Sequence, residues 1–359
     1  MGRKLFVANT YYQLILAIQL RYTLFSKDDT VMLFSDHSNN AKEVVDNINK
    51  AHIFSECYYI ETKNIDHNSN RFQNLEDTLS MIFVHDNRFS KVLPNFNDCK
   101  FDELICFTFN IIIDGIYYYL CSYNEKLALS RLEEGILSYD AGNVFYKKRY
   151  FIANIRKLLK KTTILDNLHN FYCYYPELYS GDLNAISVPL IKNGFRTPSM
   201  LKSIFNPKME YNYKYIFFTS VYDFEGGEPV GEFELVCKIA DLVGKDNLLV
   251  KTHPRDRRTI YQDNGFNVDK NSSIPWEAIQ LSGDFSDKVF MTVNSGSVLS
   301  GSTMSENPVR TYYMYKLCDI SGNPPCQKNA EDIKRLLDNE SMREILRTVH
   351  IAESLEDIL

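Results

Sequence analysis

Leu127-Ala128-Leu129-Ser130-Arg131-Leu132-Glu133-Glu134-Gly135 is the stretch whose reading decides the fold. A short apolar run ends abruptly in two carboxylates and a glycine. The same grammar recurs twice: Leu248 to Lys251 runs into Thr252-His253-Pro254, and Val289 to Val293 into Asn294-Ser295-Gly296-Ser297. Short apolar runs bounded by polar or turn-forming residues read as buried strands. In open α/β sheets, ligands collect at the carboxyl ends of the strands. Three polar clusters at three such ends therefore predict one cleft holding a base, an acid and a phosphate cradle.

Outward from these motifs the chain alternates strand and helix. Leu5 to Ala8 reads as a strand and Tyr12 to Leu24 as a helix, followed by the pairs Val31–Phe34 with Ala41–Ile48 and Phe54–Ile60 with Leu75–Phe83, then the strand Leu104–Phe107. A second series opens at Tyr215 to Thr219. It continues through a helix at 231–242, helices near 275–281 and after Ser297, and a strand at 309–313. Such alternation predicts doubly wound parallel sheets. Pro198, Pro207 and the polar residues between 194 and 213 break the periodicity as an interdomain connection would. The expected division is an acceptor-side domain over 1–205, a nucleotide-sugar-binding domain over 206–330 and a helical tail over 331–359 that packs back across the cleft, with helices at 331–337 and 342–349.

The bulk numbers fit. At 359 residues, two α/β domains of about 150 to 200 residues are the default. A formal charge of −6 argues against a nucleic-acid partner. None of the eight cysteines forms a C-x-x-C pair, so zinc-ribbon and thioredoxin-like chemistry lack support and a reducing, cytoplasmic setting fits. The apolar run after Met1 is too short for a signal peptide, and no segment approaches the ~18 apolar residues of a membrane span.

Each motif has a bland role beside the chemical one. Glu133-Glu134-Gly135 is, by itself, more often a solvated turn. His253 is pressed towards extended geometry by Pro254, and its imidazole could donate to a phosphate oxygen near neutral pH, yet a turn histidine is the commoner finding. Asn294-Ser295-Gly296-Ser297 could cradle a phosphate at a helix start or simply cap it. Glu277, opening a helix after Pro275, could accept from ribose hydroxyls. Thr10 and Gln13, at the end of the first strand, would face the same cleft. The chain has no Asp-x-Asp pair, the usual holder of a divalent ion on a diphosphate leaving group. A monophosphate needs less compensation.

The joint order of an acidic pair with glycine, His253-Pro254 and a serine-rich turn, with the opening Asn9-Thr10-Tyr11-Tyr12-Gln13-Leu14, resembles bacterial sialyltransferases of the GT-B type. The lipooligosaccharide sialyltransferase family and the related polysialyltransferases are the nearest in pattern. That resemblance implies two Rossmann-like domains facing a central cleft and inverting transfer of sialic acid from CMP-sialic acid to a glycan ending in galactose or sialic acid, without a metal or other cofactor. It implies Glu134, or else Glu133, as general base and His253 as the group assisting CMP departure. Ser295, Gly296 and Ser297 would hold the phosphate together with Asn294 and Pro254, and Glu277 the ribose.

Lys251-Thr252-His253-Pro254 also resembles CDP-glycerol phosphotransferases, although the Asp expected after their serine turn is missing here. A sugar-nucleotide epimerase and a non-catalytic nucleotide-binding partner in capsule assembly complete the alternatives. Residues 145–168 mix Phe145, Tyr150, Phe151, Leu158 and Leu159 with Lys147, Lys148, Arg149, Arg156, Lys157, Lys160 and Lys161. That mixture reads either as an ordinary amphipathic helix or as a peripheral contact with the cytoplasmic face of the inner membrane.

Overall fold

The computed structural model describes residues 1–67, 71–83, 88–107, 110–139, 147–192, 194–208, 211–253, 255–271 and 274–359. They form two compact units, Met1–Pro189 and Leu190–Leu359.

In the first unit, seven strands build one sheet: β1 (Arg3–Ala8), β2 (Asp29–Ser35), β3 (Glu56–Ile60), β4 (Glu103–Cys106), β5 (Ala128–Leu132), β6 (Leu168–Cys173) and β7 (Asn184–Ser187). Their order is β3-β2-β1-β4-β5-β6-β7, and every pairing is parallel. β1 and β4 are buried over their last four residues, as strands covered on both faces must be. The helix Tyr11–Tyr22 follows β1 directly, because the Thr10 side chain accepts from the Gln13 N–H and caps its start. Leu5, Val31, Leu104, Ile116, Leu129 and Ile152 belong to one continuous core.

The second unit repeats the plan with β8 (Tyr215–Phe218), β9 (Leu248–Lys251), β10 (Asn267–Val268), β11 (Val289–Thr292), β12 (Arg310–Tyr313) and β13 (Val349–Ile351). The order is β10-β9-β8-β11-β12-β13, again all parallel. Strand order reverses between β1 and β4 in one sheet and between β8 and β11 in the other. These are the switch points at which such sheets bind ligands.

The structure corrects the sequence reading at the domain boundary, in the C-terminal tail and at one buried charge. The division falls after Pro189 rather than at 205, because Ile191 bridges to Ser305 and the helix Arg196–Phe205 packs on the helix Trp276–Gln280. Pro198 sits inside that helix without breaking it, since the N–H groups of a first turn have no intrahelical partner to lose. The expected helix over 342–349 is absent. There the chain runs through turns into β13, which pairs with β12, so residues 331–359 complete the second sheet.

The third correction is electrostatic. Arg149 is a core residue, fully buried against an equally buried Asp114, with Nη2 to Oδ1 at 2.5 Å and Nε to both oxygens at 3.0 Å. It occupies the inward face of the helix Lys147–Leu158 together with Ile152, Ala153 and Arg156. Removing one partner of such a pair strands a buried charge, at a cost of about 3–5 kcal/mol. Arg149→Ala is therefore expected to lower the urea midpoint strongly. Unchanged stability would show that the pair is not the buried contact described.

Candidate active site

The sequence Leu132-Glu133-Glu134-Gly135 sends its two carboxylates to different environments. Glu133 is almost fully buried. Its Oε1 accepts from the Tyr12 hydroxyl at 2.5 Å, and its Oε2 accepts from the Tyr139 hydroxyl and from the Tyr174 N–H at 2.8 Å. Burial raises its pKa against the pull of these three donors. Both oxygens are occupied, so Glu133 ties the carboxyl ends of β5 and β6 to the first helix.

Glu134 is half-buried. Burial pushes its carboxyl above the usual range, while the Thr10 and Gln13 side chains act in the opposite direction by favouring the charged form. The Gln13 amide nitrogen is buried with no partner at hydrogen-bonding geometry among the described residues, and its oxygen accepts the Asn9 N–H at 2.7 Å. Thr10 and Gln13 follow β1, and Glu134 follows β5, so the three lie at strand ends flanking β4. Gly135 takes φ +75°, and a Cβ placed on it would meet nothing within 4 Å, so the turn demands glycine by conformation and not by space. The turn closes through Ser138, whose Oγ accepts the Glu134 N–H at 3.2 Å.

In the second unit His253 follows β9. Its backbone N–H donates to Thr219 Oγ1 at 2.8 Å, and its Nδ1 accepts the Arg255 N–H at 3.1 Å. An accepting Nδ1 places the proton of the neutral ring on Nε2. Burial, and then the Arg255 charge, hold the imidazole below its ordinary pKa. At neutral pH the ring therefore offers Nε2–H as a hydrogen-bond donor. Pro254 lies outside the described residues.

Ser295 follows β11, at the switch point. Its N–H donates to Thr292 Oγ1 at 2.9 Å, its hydroxyl lies 2.8 Å from that of Ser297, and Tyr313 donates to its carbonyl at 3.2 Å. Gly296 caps the helix Ser297–Met304, whose first N–H groups lack intrahelical partners and point at the same place. Glu277 joins this group from the neighbouring helix by accepting from the Ser300 hydroxyl at 2.5 Å. Asn294 is turned inward. Its Nδ2 donates to the Cys326 carbonyl at 3.0 Å and its own carbonyl accepts from Asn329, so it braces the turn instead of facing a ligand.

Thr219, Ser220 and Glu232 are absent from the sequence reading of the site. Both oxygens of the buried Glu232 accept the Ser220 N–H, at 3.0 and 2.8 Å, which fixes the end of β8 beside His253. The one signal in the sequence is a carboxylate on the first residue of a helix, nine residues after Asp223. Asp223 already accepts the N–H groups of Val230, Gly231, Glu232 and Phe233. Burial, with Asp223 adding to it, pushes Glu232 up to about 8.

A carboxyl near 4.3 when unfolded and near 8 when folded contributes stability that is fully present below pH ~4 and lost as pH rises through 8. Melting temperature should fall from pH 5 to pH 8 in the wild type. The difference between wild type and Glu232→Gln should shrink correspondingly, and a pH-independent difference would reject the buried acid.

Several solved structures share features of this fold. The alpha/beta-galactoside alpha-2,3-sialyltransferase of the luminous marine bacterium Photobacterium phosphoreum is similar with a TM-score of 0.47 and 12% identity, covering 99% of each chain. S. aureus MnaA with UDP is similar with a TM-score of 0.45 and 12% identity, covering 96% of this chain and 90% of that one. The calicheamicin glycosyltransferase CalG4 is similar with a TM-score of 0.45 and 12% identity, covering 97% and 92%. No curated protein matches the chain. A family model described as alpha-2,8-polysialyltransferase (POLYST) matches residues 4–311.

Proposed function

The chain belongs to the alpha-2,8-polysialyltransferase family, and from that premise we propose that it transfers sialic acid, with inversion and without a metal, from CMP-sialic acid to a glycan hydroxyl. The family's description favours an acceptor ending in sialic acid over one ending in galactose. The observation that carries the mechanism is the division of labour at residues 133 and 134: one carboxylate is saturated by protein donors, and the other is accessible with a pKa raised by burial.

Glu134 takes the proton of the acceptor hydroxyl as that oxygen bonds to the anomeric carbon of the donor. The bond from that carbon to the phosphate oxygen breaks, and CMP leaves with the electron pair. His253 Nε2–H and the hydroxyls of Ser295 and Ser297 hydrogen-bond the departing phosphate, with the N-terminal N–H groups after Gly296 adding to them. Glu277 receives the ribose hydroxyls. Thr10 and Gln13 orient Glu134.

The test is incubation with CMP-sialic acid, with and without a sialylated acceptor and with and without EDTA. Acceptor-dependent release of CMP that survives EDTA is the expected result. CMP release without acceptor would instead indicate an epimerase- or hydrolase-like reaction, and a strict metal requirement would overturn the monophosphate argument. CMP should raise the melting temperature more than UMP, UDP or GDP. A ligand that binds only the native state stabilises it by about 2.7 kcal/mol at a hundredfold excess over Kd. A preference for uridine nucleotides would reject the donor.

A further inference from the structure

The helix Arg71–Phe83 carries apolar residues on its outward face as well as its inward one. Its inward face carries Met81 and Ile82, which join the core, and Asp77, which pairs with Arg88. Its outward stripe is Phe72, Leu75, Leu79 and Phe83, spaced three, four and four residues apart and 86, 58, 46 and 55% exposed. A surface helix ordinarily turns such a stripe to the core. The helix Lys147–Leu158 packs beside it and adds Phe151, 56% exposed, and Leu158, 83% exposed, with Leu159 just beyond.

The turn after Leu158 is joined to the end of the helix Arg71–Phe83, because Lys161 Nζ donates to the carbonyls of Ile82 and Phe83 at 3.2 and 3.4 Å. Cations therefore stand at the rim of the apolar stripe. Lys157 and Lys160 are exposed beside Lys161, and the exposed carboxylates nearby include Glu76 and Asp166, the latter 3.8 Å from Lys157. On a chain with a formal charge of −6, three lysines within five residues make a cationic margin beside a large apolar face.

We propose that this two-helix face docks on an anionic phospholipid surface, with Phe72, Leu75, Leu79, Phe83, Phe151 and Leu158 entering the headgroup boundary and Lys157 and Lys160 meeting lipid phosphates. Exposed apolar patches of this kind mark interaction sites, and apolar insertion with a basic margin is the chemistry of interfacial helices. Each lysine near an anionic bilayer strengthens binding about fivefold. No helix among the described residues is long and apolar enough to cross a membrane, so the association is peripheral. The anchoring set differs from the one the sequence suggests: Arg149 is withdrawn into the core, the side chains of Lys147 and Lys148 lie outside the described residues, and the stripe from Phe72 to Phe83 is added.

The experiment is co-sedimentation of the full chain with vesicles of phosphatidylcholine alone or with a third phosphatidylglycerol. Wild type should bind the anionic vesicles and bind the neutral ones at least tenfold more weakly. The Phe72→Ser/Phe83→Ser double variant should lose at least tenfold, as should Leu158→Ser with Phe151→Ser, made in case the first pair melts early. Lys157→Gln with Lys160→Gln should lose about twenty-fivefold on anionic vesicles and nothing on neutral ones. All three should keep wild-type turnover of a short soluble acceptor. Wild type that ignores anionic vesicles, or variants that bind as it does, would overturn the proposal. So would serine variants that abolish self-association in sedimentation without changing vesicle binding, because the stripe would then be an interface between copies.

Discussion

Glu134→Gln is expected to lower kcat by roughly 10²–10⁴, the range for loss of a positioned general base, with little change in melting temperature. The amide keeps the size and most hydrogen bonds of the half-buried side chain but cannot take a proton. Glu133→Gln is expected to behave in the opposite sense. It places an NH₂ among three donors, the Tyr12 and Tyr139 hydroxyls and the Tyr174 N–H, and an unmatched buried group costs about 1–3 kcal/mol. Its first effect should be on stability. If Glu133→Gln abolished turnover in a fully stable protein while Glu134→Gln was mild, the base would be assigned to the wrong residue.

The pH dependence carries the same assignment. Burial raises the Glu134 pKa above the ordinary carboxylate value, and catalysis needs the deprotonated form. The acidic limb of kcat/KM must then lie above pH ~4.3. Thr10→Val, which removes a group favouring the charged form, should move that limb further up. A limb at the ordinary glutamate position, or one unmoved by Thr10→Val, would contradict the geometry.

His253→Ala is the second large effect, also a loss of roughly 10²–10⁴ in kcat. Because Nδ1 is committed to the Arg255 N–H, the proposed mechanism has the ring donate a hydrogen bond from Nε2 to the leaving phosphate. His253→Gln, with an N–H donor at similar reach, should recover part of the loss, and a donor with a better leaving group should narrow the gap between variant and wild type. Equal losses for alanine and glutamine would point to proton transfer in place of hydrogen bonding. Ser295→Ala should cost less, since in the proposed mechanism Ser297 and the helix N–H groups would still hold the same phosphate.

Much of the fold is legible because buried parallel strands are short apolar runs with abrupt ends. Leu248–Lys251 is recovered to the residue, and β5 and β11 to within one at an end. Strands β6, β7, β10 and β13 have no counterpart in the sequence reading. Asn184–Ser187 has no fully buried residue, Asn267–Val268 is two residues long, and Leu168–Cys173 interrupts its apolar residues with His169 and Asn170. None of these carries a decisive period.

The site is legible at the level of motifs and less so at the level of direction. Asn294 reads like its serine neighbours in sequence, yet packing against Cys326 turns it inward. Arg149 reads like the six cations around it, and only the distant Asp114 reveals which face it occupies. Glu232 is marked in the sequence only by its place at a helix start, because its partner is the Ser220 N–H and a backbone group leaves no trace in a residue pattern.

The pairing of β13 with β12 has a consequence for the order of synthesis. Everything the first sheet needs has been made by Pro189, whereas the second sheet waits for Val349–Ile351. At about 5–20 residues per second, that interval is on the order of 10–30 s. During it the first unit can fold, and in its last few seconds, between completion of β12 at Tyr313 and of β13 at Ile351, β12 presents an open parallel edge through Thr311, Tyr312 and Tyr313. A nascent chain paused there would expose backbone donors and acceptors of the kind that template aggregation, with Ser295 and Ser297 already in place one strand away.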